Sequence, residues 1–171
     1  MLKPKVLQAL NSQLNAEYYS SYLYLSMSAF FQDKGLPGMA NWMRIQADEE
    51  MMHAMKFFDY INERNGRVSL KPIDGPPTEW GSVLEVFEET KKHEEHVTSL
   101  INELVSKSEE EKDYATHAFL QWFINEQVEE EAAANAIVDQ LRLVGDNGLA
   151  TFMIDGQLGQ RTAAPADPAG A

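Results

Sequence analysis

The sequence predicts an all-α protein: a four-helix bundle with one long crossover between helices 2 and 3, plus a short fifth helix near the C-terminal end. Apolar residues recur at three- and four-residue spacing over four long stretches, each bounded by helix start or stop signals. A segment without helical period, roughly residues 67–81, contains three prolines and divides these stretches into two pairs. Because neither pair could cover its apolar faces alone, we expect the segment to run the length of one bundle.

Composition limits the classes of protein to consider. The chain has 171 residues, a formal net charge of −13 and no cysteine. These values argue against binding to nucleic acid or anionic membranes, and they exclude disulfides, zinc ribbons and iron–sulfur clusters. With no signal peptide or transmembrane helix in the pattern, we expect a cytoplasmic protein. We expect one domain over residues 1–160 and a disordered Ala/Pro-rich tail over residues 161–171.

The first two helices have clear boundaries. The first is predicted from Pro4 to about Lys34, with Gly35 as its left-handed cap, because proline suits the first turn and glycine the C-terminal end. The second is predicted to begin at Pro37 and to end before Gly66. The short turn between them predicts antiparallel packing.

Two capping boxes mark the next helices. The third is predicted to begin at Ser82–Glu85 and the fourth at Ser108–Glu111, again joined by a short antiparallel connection. The glycines at 145 and 148 then break the pattern. A fifth helix of about three turns is predicted from Leu149 to Leu158.

Polar residues interrupt the apolar face of every long helix near its middle. They are Glu17, then Glu50 with His53, then Glu94, then Gln127 with Glu130. An ionised carboxylate in an apolar core costs several kcal/mol unless something pairs with it, and a multivalent cation removes that cost. Oxygen-rich ligands with one imidazole suit iron or manganese better than a closed zinc site. The pattern therefore predicts a dinuclear metal site, with a hydrogen-bonded polar core as the alternative.

Four segments also match motifs of a known family in the same order: residues 13–24, residues 49–53, the region around Glu94 and residues 119–131. Through them, residues 1 to about 160 resemble the prokaryotic non-haem ferritins, members of the ferritin-like di-iron carboxylate proteins. The resemblance implies iron storage and detoxification by a ferroxidase that oxidises Fe(II) with O2 or H2O2. It further implies storage of a ferric oxide-hydroxide mineral inside a hollow shell of twenty-four subunits.

The resemblance also assigns ligands for a di-iron ferroxidase centre. These are Glu17, Glu50, His53, Glu94 and Gln127. Glu17, Glu50 and His53 would hold one iron, Glu50 would bridge to a second iron on Glu94, and Gln127 would lie beside the pair. Tyr24 would hydrogen-bond near the metals as a possible electron donor, with plain packing as an equal alternative.

A third iron site is implied beside the dinuclear centre. Its residues by resemblance are Glu49, Glu126, Glu129 and Glu130, and the alternative is a solvated acidic face. The second motif, Gln127 to Glu130, lacks the histidine of bacterioferritins and rubrerythrins. Because an amide cannot bridge as an anion, we expect a loosely held second iron. Met51 lies where bacterioferritins keep a haem-ligating methionine, but no haem is expected here.

Three rival classes remain open. A di-iron or di-manganese enzyme would show a second Glu-x-x-His or an electron-transfer module, and the sequence has neither. A bundle without metal would have to explain four acidic residues on apolar faces. A DNA-protecting mini-ferritin would place its ligands between subunits. Among the remaining residues, His93 and His96 are expected at the surface or at an interface. His117 has no evident carboxylate partner, and Trp42 and Trp80 are expected to be exposed.

Overall fold

The computed structural model describes residues 2–163 and contains five α-helices over that range. They are α1 Pro4–Asp33, α2 Pro37–Glu63, α3 Val83–Glu110, α4 Tyr114–Val144 and α5 Gly148–Leu158. The predicted all-α class and the order of helices are confirmed. None of the described helices is long and apolar enough to cross a membrane. Residues 164–171, most of the predicted tail, lie outside the described residues.

The turn between α1 and α2 forms as the sequence predicts. Pro4 and Pro37 occupy the first turns of their helices. Gly35 has a φ of 71°, in the left-handed region that a residue with a Cβ enters only with strain. At the end of α2, Asn65 takes the same role with a φ of 55°. α1 packs against α2, and α3 packs against α4.

The crossover between α2 and α3 runs along α1. Asn11 binds it at two points, donating from Nδ2 to the carbonyl of Arg67 at 3.1 Å and accepting from the amide of Ser69 at 2.6 Å. Further along both segments, the Ser26 hydroxyl donates to the carbonyl of Pro77 at 2.6 Å. These contacts, in matching order, confirm a lengthwise crossover within one bundle.

The predicted start of α4 is wrong. Ser108 lies in the last turn of α3, where its hydroxyl donates to the carbonyl of Val105 at 2.7 Å instead of capping a new helix. The true cap is Asp113, which accepts from the Thr116 amide at 3.2 Å and pairs with Arg64 at 3.0 Å. A serine can bond back to its own helix, and the glutamates after it favour helix, so the capping-box pattern was ambiguous.

The two tryptophans expected at the surface are buried instead. Trp42 is 5% exposed and Trp80 is 8% exposed. The Trp42 ring packs at 5.6 Å from the ring of Phe87, and Trp80 packs at 5.2 Å from Phe30. Both tryptophans therefore belong to the core of this subunit, and the prediction that they were exposed is wrong.

The core consists of two apolar clusters at opposite ends of the bundle. One contains Leu23 and Met43 and extends to α5, and the other contains Leu10, Phe57 and Leu120. The buried acidic residues of the long helices fall between these clusters in sequence on every helix. The bundle thus holds a polar layer between two apolar ends.

α5 docks on the N-terminal end of α2. The Asp155 carboxylate accepts from the Met39 amide at 2.8 Å, which satisfies one of the free donors of the first turn. The contact is close because Gly38 has no side chain: a Cβ there would lie 1.8 Å from the carbonyl oxygen of Asp155.

We expect Gly38→Ala to destabilise the protein by about 1–3 kcal/mol, since α5 must move away from α2 to relieve the clash. Gly156→Ala is the matched control, because a Cβ at this helical position meets nothing within 4 Å. That control should raise stability slightly through helix propensity. Thermal unfolding of both variants measures the difference, and equal melting temperatures would contradict the close packing.

Candidate metal centre

The polar layer brings together residues from all four long helices. Its buried members are Glu17, Gln46, Glu50, His53, Glu94, Gln127 and Glu130. Glu17, Glu50 and Glu94 are each only 1% exposed. Burial of so many acidic groups in one layer is unfavourable without compensating positive charge.

The first cluster consists of Glu17, Glu50 and His53. One ligand atom from each lies within 4.8 Å of the others. His53 Nδ1 lies 3.1 Å from Glu50 Oε2, and Gln13 donates to Glu17 Oε1 at 2.8 Å. The other oxygen of Glu17 is buried without a hydrogen-bond partner among the described residues. A buried carboxylate oxygen without a hydrogen-bond partner is available to bind a cation.

The protonation states of this cluster reflect its burial. Burial, with the Glu50 charge, raises the pKa of Glu17 to about 8. Burial acts to raise the pKa of Glu50 too, but the hydrogen bond to His53 and its charge lower it. Burial acts to lower the pKa of His53, and hydrogen bonds to Glu126 and Glu50 raise it well above its ordinary value. The pKa shifts of Glu17 and His53 both favour the protonated form, which reduces the negative charge of the layer.

Glu94 is the buried carboxylate that α3 contributes to the polar layer. Tyr24 donates its phenolic hydrogen to Glu94. Gln127 Nε2 donates to the carboxylate of Glu94 at 3.2 Å and to its backbone carbonyl at 3.3 Å. Burial and the nearby Glu50 charge raise the pKa of Glu94 well above its ordinary value. The predicted neighbours of a second iron are therefore in contact, with the nitrogen of the Gln127 amide towards Glu94.

The third predicted site is only partly assembled. Glu126 and Glu130 group with His53, with one ligand atom of each within 4.8 Å. Glu49 instead pairs with Arg161, and Glu129 is exposed. His53 thus offers Nδ1 towards Glu50 and Nε2 towards Glu126, at 3.1 and 3.8 Å. Metal binding by these four glutamates stays a prediction.

Gln46 and Arg161 join the site without having been predicted. The Gln46 side chain donates to Glu130 Oε2 at 2.7 Å and to Glu50 Oε1 at 3.3 Å, and accepts from Arg161 at 2.9 Å. Gln46 lies one turn before Glu50 on the same face, which was a usable signal. Arg161 had no such signal, since it follows the last helix at the start of the predicted tail.

The three histidines outside the predicted ligand set differ in how well the sequence predicted them. His93 is half-buried, lies 2.8 Å from the Ser20 hydroxyl and packs against the edge of Tyr24, so the surface prediction is wrong for it. Burial lowers the pKa of His93 to about 4. His96 is exposed, as predicted. His117 does have a carboxylate neighbour, since its Nδ1 lies 3.4 Å from Glu109.

The donor set fits a hard cation. Carboxylates from α1, α2 and α4 group with one imidazole, and the unpartnered oxygen of Glu17 is available as a ligand. A glutamate from each of two helices and a Glu-x-x-His from a third match the arrangement of dinuclear carboxylate bundles, except that the fourth helix offers Gln127 and Glu130. Fold and site together define the class of ferritin-like carboxylate proteins.

Comparisons with known proteins agree with that class. The model of the ferritin-like domain matches residues 7–144. A bacterial non-heme ferritin of Bacteroides fragilis is 50% identical over 161 residues, covering 94% of this chain and all of the relative. A bacterial non-heme ferritin of Escherichia coli is 40% identical, covering 92% and 96%. An open-pore ferritin from Archaeoglobus fulgidus superposes with a TM-score of 0.94 at 51% identity, covering 95% of this chain and all of that one. The chain belongs to the ferritin family.

Proposed function

We propose that this protein stores iron and that each subunit is a ferroxidase, which oxidises Fe(II) in the polar layer before the ferric product is stored. The observation that carries the proposal is the buried, unpartnered oxygen of Glu17 beside Glu50 and His53. Membership of the ferritin family supports the same function, since the relatives compared above are named as ferritins.

In this proposal Glu17, Glu50 and His53 bind the first Fe(II). Glu50 bridges to a second Fe(II) on Glu94, and Gln127 stays beside it as a neutral donor. Burial raises the pKa of Glu17 to about 8 and raises that of Glu94 well above its ordinary value, so binding of Fe(II) must displace the protons that these carboxyls hold. Iron therefore replaces protons as the positive charge of the layer.

The redox step balances with either oxidant. Two Fe(II) ions each give one electron, and O2 takes up these two electrons with two protons to form H2O2. With H2O2 as oxidant, the same two electrons and two protons break the O–O bond and form two waters. Tyr24, which donates to Glu94, holds that carboxylate in place and is the candidate for an additional electron.

Storage requires an enclosed space, which a single subunit does not provide. We propose a hollow shell of twenty-four subunits in the cytoplasm. The net charge of −13 would attract Fe(II) and supply carboxylates for the ferric oxide-hydroxide mineral.

Anaerobic loading with Fe(II) followed by a pulse of O2 tests the proposal. Absorbance follows the ferric product while light scattering after size exclusion measures the particle. Oxidation that continues far beyond two irons per chain in a large particle would support storage. Oxidation that stops at two irons per chain in a small oligomer would assign a di-iron enzyme instead, and no Fe(II)-dependent signal would refute both.

Gln127 provides a further prediction. Its amide donates to Glu94 and to the Thr98 hydroxyl, which itself donates to Glu131 at 2.5 Å. Gln127→Glu replaces this donor by an acceptor, so we expect metal-free stability to fall by about 1–3 kcal/mol. The added anion should tighten the second metal at least about tenfold.

Anaerobic Zn(II) calorimetry and thermal unfolding measure these two effects. Asn135→Asp is the control, because it adds a charge at a partly exposed position on the same helix, two turns beyond Gln127. If the second metal binds no more tightly to Gln127→Glu than to the parent protein, Gln127 does not limit that site.

A further inference from the structure

The side chain of Arg161 lies on α2 beside the acidic layer. Its Nη1 donates to Gln46 Oε1 at 2.9 Å and to the Trp42 carbonyl at 3.4 Å, and its Nη2 pairs with Glu49. The guanidinium carbon lies 4.5 Å from the centre of the Trp42 ring. The side chains of Arg161 and Glu49 are 23% and 14% exposed, so this ion pair is largely shielded from water.

We propose that Arg161 is a resident cation that holds Glu49 away from the third iron site, so that iron must displace the guanidinium before it can use Glu49. This inference rests on the proposed function. The carboxylates of Glu126 and Glu130 group with His53, whereas Glu49 is taken by Arg161.

The same guanidinium also orients a second carboxylate through Gln46. Arginine can only donate hydrogen bonds, so Gln46 must turn its oxygen towards Arg161. The amide nitrogen of Gln46 then faces Glu130 and Glu50, to which it donates at 2.7 and 3.3 Å. Arg161 is thus a positioning residue for both Glu49 and Glu130, and displacing it would free Glu49 and loosen Glu130 together.

A purely structural role as an anchor of α5 would not need the guanidinium. The backbone carbonyl of Arg161 already accepts from Asn41 Nδ2 at 3.1 Å, and the Asp155 contact to Met39 holds α5 itself. A variant that keeps the aliphatic length but removes the charge therefore separates the two roles. Arg161→Met is that variant, and Arg161→Lys keeps the charge while losing the planar fork.

Anaerobic calorimetry of the full-length protein with Zn(II), a redox-inert probe, measures each class of site. We expect Arg161→Met to tighten Zn(II) binding at the third site on the order of tenfold, since the metal no longer competes with the charge-assisted pair of Arg161 and Glu49. The affinity of Arg161→Lys for Zn(II) at this site should fall between those of Arg161→Met and the parent protein. Arg142→Met is the matched control. Arg142 pairs with Glu88 in an exposed ion pair, so this variant should leave Zn(II) binding at every site unchanged.

Fluorescence of Trp42 gives a second readout. In a variant with Trp80→Phe and Trp122→Phe, Zn(II) should change the Trp42 emission as it occupies the third site, because the Arg161 guanidinium then leaves the Trp42 ring. The change should be lost in Arg161→Met. If Zn(II) binding at the third site were unaffected or weakened in Arg161→Met, the proposal would be overturned. If Zn(II) also failed to bind at Glu17, Glu50 and His53, the proposed function itself would fail.

Discussion

Replacing Glu50 with glutamine should slow Fe(II) oxidation at least about a hundredfold, equivalent to about 2.7 kcal/mol of activation free energy. Glu50 contacts His53 at 3.1 Å, lies in one cluster with Glu17, and is close enough to raise the pKa of Glu94. In the proposed site it is therefore the carboxylate that the two irons would share. A neutral amide of the same shape cannot bridge two cations, so the pair needed for a two-electron step would not form.

Stopped-flow absorbance after an oxygen pulse measures this loss. Asp59→Asn is the matched control: it makes the same chemical change at an exposed position of α2 and should keep the full rate. Anaerobic metal titration must accompany the kinetics, because Glu50→Gln should lose one tightly bound metal per chain. A variant that kept a tenth or more of the parent rate would show that the iron pair forms without this bridge.

The fold could be predicted from the sequence because its helix ends carry strong local signals. Pro4, Gly35 and Pro37 define three helix ends by backbone geometry alone: the start and end of α1 and the start of α2. The junction of α3 and α4 could not be settled in this way, since Ser108 and Asp113 both resemble caps. The choice depends on a tertiary contact, the pairing of Asp113 with Arg64 from the end of α2.

The site shows the same division between local and tertiary information. Glu17, Glu50 and Glu94 could be identified because each interrupts an apolar face, and all three are buried. The partners that decide their chemistry are distant in sequence. Arg161 lies 112 residues from Glu49, and its role depends on how α5 returns to α2. No periodicity in either segment indicates that contact.

Without metal, the protein should lose stability as the pH rises from 6.5 to 8. Folding raises the pKa of Glu17 to about 8 and that of Glu130 to about 7, both from 4.5, mainly through burial. In this range the folded protein holds protons that the unfolded chain has released, so stability falls with pH. The contribution of His53 to stability also falls as the pH rises, because its raised pKa stabilises the fold only while the imidazole is protonated.

Other groups act largely outside this window. Glu50 has a lowered pKa, so its contribution is lost only as the pH falls below about 4.5. The pKa of His93 is lowered to about 4, so it destabilises the fold mainly below pH 6.5, where the unfolded histidine takes up a proton. The shifts of Glu17 and Glu130 together lower stability by about 2–3 kcal/mol between pH 6.5 and 8, and those of His53 and Glu94 act in the same direction.

Thermal unfolding of the metal-free protein should therefore show a melting temperature about 5–15 °C lower at pH 8 than at pH 6.5. Glu17→Gln should flatten this dependence and raise stability at pH 8, because it removes a buried charge. Saturating Zn(II) should reverse the slope, since metal binds the deprotonated carboxylates and binding strengthens as protons leave. If metal-free protein were equally stable at both pH values, the carboxylates would be ionised throughout, and the layer would need a source of positive charge other than protons. A reversed slope with Zn(II) would mean that the groups that weaken the empty bundle are the groups that bind the metal.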